Sequence, residues 1–322
     1  MIRLKPTILV YKPFKEKSLE KLRQHAQVEY FPGNDPDDPA FLKVLQKADG
    51  LIGSGMKVDK ALLEKAPNLK MIANKSVGYD NLDVDLLKER GIKASNTPGV
   101  LDDTVADTIM ALILSTARRV AELDRYVKEG GWAQGPLTKN QFGVDVHHKK
   151  LGIIGMGRIG QVVAKRANFG FDMPILYHNR SRNAEAERTY NASYCTLDEL
   201  LEQSDFVCVM TPLTPKTKGL IGKREFEKMK KSAIFINASR GAVVDEQALV
   251  EALNNGIIWG AGLDVFENEP LRANHPFLSM KNVVTLPHIG SATEETRDKM
   301  EKLAVENIIA GLTGKKLKTP IF

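Results

Sequence analysis

The stretch LGIIGMGRIGQVVAKRA, Leu151 to Ala167, constrains this chain more than any other. An apolar run ends in Gly155-x-Gly157-x-x-Gly160 and passes directly into an amphipathic segment, so a strand must turn tightly into a helix. The first glycine permits the turn, the second lets the backbone approach a pyrophosphate, and the third lets helix and strand pack closely. The start of that helix then offers unpaired N–H groups and the positive end of its dipole to an anion. Glycines at this spacing also occur in ordinary strand–helix turns. Here a further strand follows where a dinucleotide-binding unit needs one, and a dinucleotide site is the expectation.

The rest of the pattern agrees with that start. LGIIG, PILYH, DFVCVM, SAIFINAS, GAGLDVF and NVVTLP are six strand candidates separated by helices or loops, the strand count of a dinucleotide-binding sheet. Before them, TILVY, VEYF, DGLIGS and LKMIANK alternate with helices near 15–26, 38–47 and 83–90, which implies a second parallel sheet with helical crossovers. A chain of 322 residues is too long for one core, and two domains are expected. One long helix is expected from Asp102 to Lys128. Its Val105–Leu114 stretch is apolar nearly all round, which predicts burial between domains or between subunits. A loop follows from Gly130 to Lys150. The last amphipathic segment, Ala292 to Leu312, is placed back on the first domain, making that domain discontinuous. The expected fold class is α/β, two doubly wound parallel-sheet domains, with a Rossmann coenzyme domain (101–287) inserted in a flavodoxin-like substrate domain (1–100 and 288–322).

About twenty residues past the glycine turn, an NAD site carries a carboxylate that binds the ribose hydroxyls and repels a 2′-phosphate. This chain has YHNRSR there, with Asn179, Arg180, Ser181 and Arg182 in its place. A phosphate can accept charge-assisted hydrogen bonds from arginine, each worth about 1.5–3 kcal/mol. The expected cofactor is therefore NADP(H), preferred over NAD(H), which the same turn can also hold. Arginines that merely solvate a surface loop are the plainer explanation.

Composition narrows the classes. At 43% hydrophobic and 27% charged, with no apolar run long enough to cross a bilayer, the chain reads as a globular, cytoplasmic protein without a membrane partner. The opening MIRLKPTILVYKPF has no small-residue cleavage site and reads as leading into a strand. A net charge of +6 is spread along the chain without aromatic–basic interleaving, so no nucleic-acid partner is expected. Cys195 and Cys208 are too few for a disulfide framework, and neither they nor His147 with His148 give metal-ligand spacing.

Three charged residues fall at or just beyond the ends of late strands, where an α/β sheet presents its ligand site: Arg240 in NASRGAVVD, Glu269 in FENEP and His288 in LPHIGSAT. Reducing a 2-keto acid needs a fixed cation for the carboxylate, a proton donor for the carbonyl oxygen and a means of keeping that donor charged. A carboxylate beside an imidazole favours the imidazolium. Singly, each residue is as readily a solvated or structural group. Together, on a dinucleotide-binding sheet, they form a candidate catalytic set.

With SVGYDNLDVD, TVADTIMALILSTARRV, DVHHKKLGIIGMGRIG, SDFVCVMTPLT, AIFINASRGAVVDEQAL, AGLDVFENEP and LPHIGSATEETR, the chain resembles over essentially its whole length the D-isomer-specific 2-hydroxyacid dehydrogenases, and among them the bacterial glyoxylate, hydroxypyruvate and 2-ketogluconate reductases. The resemblance implies that Arg240 orients substrate and His288 acts as acid in reduction, with Glu269 as the third member. It implies that the backbone at Val77 and Gly78 binds the substrate carboxylate, that Thr104, Arg158 and Ile159 reach the cofactor phosphates, and that Asp264 holds the nicotinamide carboxamide. Members pair as homodimers through their coenzyme domains, with Trp132 in the dimer arm. The implied activity is NAD(P)H-dependent reduction of glyoxylate, hydroxypyruvate or 2-keto-D-gluconate to the D-2-hydroxy acid. The rival readings are an NAD-linked dehydrogenase working in the oxidative direction on glycerate or phosphoglycerate, and a nucleotide-sensing scaffold resembling the C-terminal-binding-protein corepressors.

Overall fold

The computed structural model describes residues 5–33 and 37–322, so the first four residues of the opening stretch lie outside it. The chain divides into two compact units, one running to Leu101 and resuming at Thr293, the other spanning Asp102–Ala292.

In the first unit, β1 (Thr7–Val10), β2 (Gln27–Tyr30), β3 (Gly50–Gly53), β4 (Met71–Asn74) and β5 (Lys93–Ser95) form a parallel sheet in the order β2-β1-β3-β4-β5. That is the flavodoxin-like order. Strand period decides its packing. Leu9, Leu51 and Ile72 point to one face, where they meet α2 (Pro39–Leu45), α3 (Lys60–Glu64) and α4 (Val84–Glu89) through Phe41, Leu62, Leu63 and Leu87. Ile8, Val10, Ile52, Met71 and Ala73 point to the other face, where α1 (Glu16–His25) supplies Leu19 and Leu22. Asp38, Asp59 and Asp83 cap α2, α3 and α4, each accepting a backbone N–H of the first turn.

The second unit holds α5 (Asp102–Ala117), α6 (Val120–Lys128), β6 (Leu151–Ile154), α7 (Arg158–Phe171), β7 (Ile175–His178), α8 (Ala184–Tyr190), β8 (Ser193–Tyr194), α9 (Leu197–Gln203), β9 (Phe206–Val209), α10 (Lys223–Lys228), β10 (Ile234–Asn237), α11 (Glu246–Asn254), β11 (Gly260–Leu263) and β12 (Val283–Thr285). Its seven strands are all parallel, ordered β12-β11-β10-β9-β6-β7-β8, the Rossmann order with one strand added at the β12 edge. The central strands are buried along their whole length and the outermost, β8 and β12, are not. Leu200, Phe226 and Leu249 cover one face from α9, α10 and α11.

Four expectations change. The Asp102–Lys128 helix is two helices, because Arg119 takes a left-handed conformation (φ 56°) and the Ala117 carbonyl turns to accept the Val144 N–H at 2.8 Å. The apolar surface of α5 is covered within its own unit: Ile109, Leu112 and Ile113 are fully buried, and the helix packs on α7, β10 and β11, so burial between domains or subunits is not required. A seventh strand, β8, pairs with β7 through two residues, too short a run to carry a period. The later unit boundary falls after Ala292 rather than after residue 287, because the backbone of Ile289 and Gly290 is tied to Asp264 and keeps His288 with the coenzyme sheet.

The chain then returns to the first unit as α12 (Glu294–Leu312), capped by Thr293, and lays Ala304, Val305 and Ile308 beside α1 on the face bearing Ile8 and Val10.

Candidate active site

Because all strands of the second unit run parallel, β6, β10, β11 and β12 end on one edge, and each is followed by residues with chemistry to offer. After β6 the glycine turn has the required form. Gly155 sits at φ 106°, and a Cβ there would meet the Met210 carbonyl carbon at 2.8 Å. A Cβ on Gly160 would stand 2.5 Å from the Gly155 oxygen, so only glycine lets α7 approach the turn. Gly157, the N-cap of α7, is exposed, has no side-chain cap, and would have open space around a Cβ. The residues therefore fit a pyrophosphate at the helix start. Arg158 opens the helix and reaches Asp102 at 3.5 Å, Ile159 is half-buried beside it, and Thr104 lies in the first turn of α5.

After β7, the structure separates the four residues read as a phosphate site. The Asn179 amide is turned inward, its Oδ1 accepting the Met156 N–H at 2.8 Å, so it braces the glycine turn. Arg182 is engaged by Glu187, with Nε and Nη2 donating to its two oxygens at 3.0 and 2.8 Å. Arg180 and Ser181 are exposed, and Arg180 forms no ion pair among the described residues.

The three charged residues gather in the second unit. His288 Nδ1 and Glu269 Oε2 are 2.7 Å apart. Glu269 Oε1 accepts the Phe266 N–H at 3.1 Å, which fixes the carboxylate on its loop. Burial works to raise the Glu269 carboxyl, but the His288 bond, the Phe266 N–H and the charges of His288 and Arg240 together hold it below the ordinary glutamate range. Arg240 follows β10 on a loop that Asn237, 1% exposed, organises: Asn237 Nδ2 donates to the Arg240 carbonyl and Oδ1 accepts from Ser239. Gly241 next to it is obligatory, since a Cβ would lie 1.9 Å from the Phe266 carbonyl carbon. The Arg240 loop and the Glu269 loop are thus packed backbone to backbone.

His288 has φ 53°, a left-handed conformation that a non-glycine residue holds only where neighbours enforce it. Asp264 is the enforcer. Its two oxygens accept the Ile289 and Gly290 N–H groups at 2.7 and 2.9 Å. Burial raises the Asp264 carboxyl, against the lowering effect of those two bonds. Nothing in the sequence signals this clamp, because the partners are 25 and 26 residues away. Val77 and Gly78 belong to the other unit, where Asn96 Nδ2 and Asn74 Nδ2 donate to their carbonyls at 2.8 Å each. Among the described residues no group of three His, Cys, Asp or Glu could hold a metal, and no helix is long and apolar enough to cross a membrane.

A Rossmann sheet with an open glycine turn and an Arg, Glu and His set on the same strand ends defines a nicotinamide-nucleotide oxidoreductase. Residues 110–290 match the family described as D-isomer specific 2-hydroxyacid dehydrogenase, NAD binding domain. Glyoxylate/hydroxypyruvate reductase B of Yersinia pestis is 54% identical over 312 residues, covering 97% of this chain and 95% of that one. The enzyme of the same name from Serratia proteamaculans is 54% identical, covering 97% and 96%. The crystal structure of an NADPH-dependent glyoxylate/hydroxypyruvate reductase from Sinorhizobium meliloti, in complex with NADP and malonate, superimposes with a TM-score of 0.88 at 34% identity, covering 98% of this chain and 97% of that one. The chain belongs to the D-isomer-specific 2-hydroxyacid dehydrogenase family.

Proposed function

We propose that the protein reduces small 2-keto acids, glyoxylate and hydroxypyruvate first among them, to D-2-hydroxy acids with NADPH in preference to NADH. The observation that carries this is the 2.7 Å pairing of His288 with Glu269 on the sheet edge that also bears the open glycine turn. A reduced coenzyme with its pyrophosphate at that turn would supply the hydride. His288 has Nδ1 on Glu269, which leaves Nε2 to give its proton to the carbonyl oxygen. Glu269, ionised, orients the ring and stabilises the imidazolium. Arg240 takes the substrate carboxylate, and its charge favours the developing alkoxide. The backbone of Val77 and Gly78 is assigned to the carboxylate as well. Thr104, Arg158 and Ile159 are assigned to the coenzyme phosphates, and Arg180 with Ser181 to the 2′-phosphate. Asp264 is assigned to the nicotinamide carboxamide, and its bonds to the Ile289 and Gly290 N–H groups hold the His288 loop.

The reading extends to a homodimer in the cytoplasm. Within residues 120–142 the apolar side chains of Val120, Val127, Leu137 and Phe142 are exposed, as is Trp132 at 62%, and an interface would cover them. Cys195 and Cys208 are both free, which suits a reducing compartment. The test is a panel of keto acids that includes 2-keto-D-gluconate, assayed with both reduced coenzymes. Turnover of none would remove the activity and leave a nucleotide-binding protein.

A further inference from the structure

We infer that Arg182 governs coenzyme choice by neutralising Glu187, not by gripping the coenzyme. The inference rests on the reading that NADPH lies along the Gly155–Gly160 turn.

Glu187 is a fixed carboxylate. Its Oε1 accepts the Tyr177 hydroxyl at 2.6 Å, and that hydroxyl accepts the Asn183 N–H at 2.7 Å, at the N-cap of α8. Tyr177 is fully buried in β7, so the carboxylate is tethered from below to the sheet. Arg182 and Tyr177 hold Glu187 below the ordinary glutamate range, and it is negative at neutral pH. A carboxylate near this strand end is what an NAD site uses to exclude a 2′-phosphate. The chain therefore carries a feature hostile to NADPH on α8, beside its basic loop.

Arg182 answers it. Two of its donors close a fork on Glu187 at 3.0 and 2.8 Å, and its guanidinium lies 5.8 Å over the Tyr194 ring. The Tyr194 hydroxyl in turn donates to the Asn179 carbonyl at 3.1 Å, and Asn179 braces Met156 in the glycine turn. With one face on an aromatic ring and a bidentate edge on a carboxylate, Arg182 is placed as a counter-ion. The pair sums to zero charge, which leaves Arg180 as the surplus cation of the loop.

The experiment measures the ratio of NADH to NADPH dissociation constants, by nucleotide fluorescence, for the wild type, Arg182→Met, Glu187→Gln and the double variant. Neutralisation predicts that Arg182→Met lowers NADPH preference about tenfold, because a naked carboxylate then faces the phosphate. Glu187→Gln keeps the hydrogen bond to Tyr177 and frees a cation, so it raises the preference. The double variant returns to within about threefold of wild type. A double variant as poor as Arg182→Met, or a fall in preference with Glu187→Gln, would overturn the inference, since either means that Arg182 contacts the phosphate with Glu187 merely aiming it. If Arg182→Met does not fold, the sign of the Glu187→Gln change still decides. A wild type with no NADPH preference would overturn the coenzyme reading itself, an outcome distinct from failure of the double variant.

Discussion

At the scale of single residues, the division of labour between His288 and its neighbours makes the sharpest predictions. On the proposed role of His288 as proton donor, His288→Ala should lower kcat about 10²–10⁴-fold with NADPH affinity retained. Stopped-flow turnover beside a fluorescence titration checks both. Arg240→Ala should raise KM as well as lower kcat, because the anchoring charge serves ground state and transition state alike. The pH profile carries a further signature. Glu269 sits below the ordinary glutamate range, so its ionised, functional form persists as pH falls until that depressed value is passed. The acid limb of kcat/KM should therefore lie below the usual glutamate pKa. Glu269→Gln removes that ionisable group, and the acid limb should be lost from this range. An acid limb unchanged in Glu269→Gln would mean that Glu269 does not set it. The sequence singles these three residues out because each follows a strand in a recognisable string. The contacts that Asp264 and Arg182 make are not readable there, since each depends on partners that only the folded loops bring near: the Ile289 and Gly290 N–H groups in one case, Glu187 in the other.

At the scale of elements, the glycine turn is the most demanding junction. Gly160→Ala would drive a methyl group to 2.5 Å from the Gly155 oxygen and push α7 off β6. A loss of roughly 1–3 kcal/mol in stability is expected, with weaker coenzyme binding, measured by denaturant unfolding with and without NADPH. Normal NADPH affinity in that variant would separate the helix start from phosphate binding. Elements with a full period were readable: β6, β9 and β10 are apolar runs buried on both faces, and they were recognised as such. The break between α5 and α6 was not, because nothing in STARRVAEL marks Arg119 as left-handed and the carbonyl it frees at Ala117 is claimed by the distant Val144. Nor could β8 be seen, for two residues cannot alternate.

At the scale of the whole molecule, the second sheet was legible in strand count except for its β8 edge, and the insertion of one unit in another was legible in the last amphipathic segment, Ala292 to Leu312, placed back on the first domain. The burial of α5 was misjudged: its apolar circumference belongs to α7 and the strands of its own unit. Exposed apolar side chains come later in the sequence, Trp132 among them, and there the proposed homodimer is tested. Trp132→Arg should shift sedimentation from dimer to monomer, whereas a wild type that sediments as a monomer at micromolar concentration would remove the dimer from the account.

The central claim is that this family member passes hydride from NADPH to a 2-keto acid while Arg180 and Ser181 favour the phosphorylated coenzyme. It is tested most directly by kcat/KM for hydroxypyruvate with NADPH and with NADH on the wild-type protein. The account predicts turnover with both and an advantage of about ten- to a hundredfold for NADPH, the worth of a charge-assisted contact to the phosphate. Equal values, or faster turnover with NADH, would contradict it.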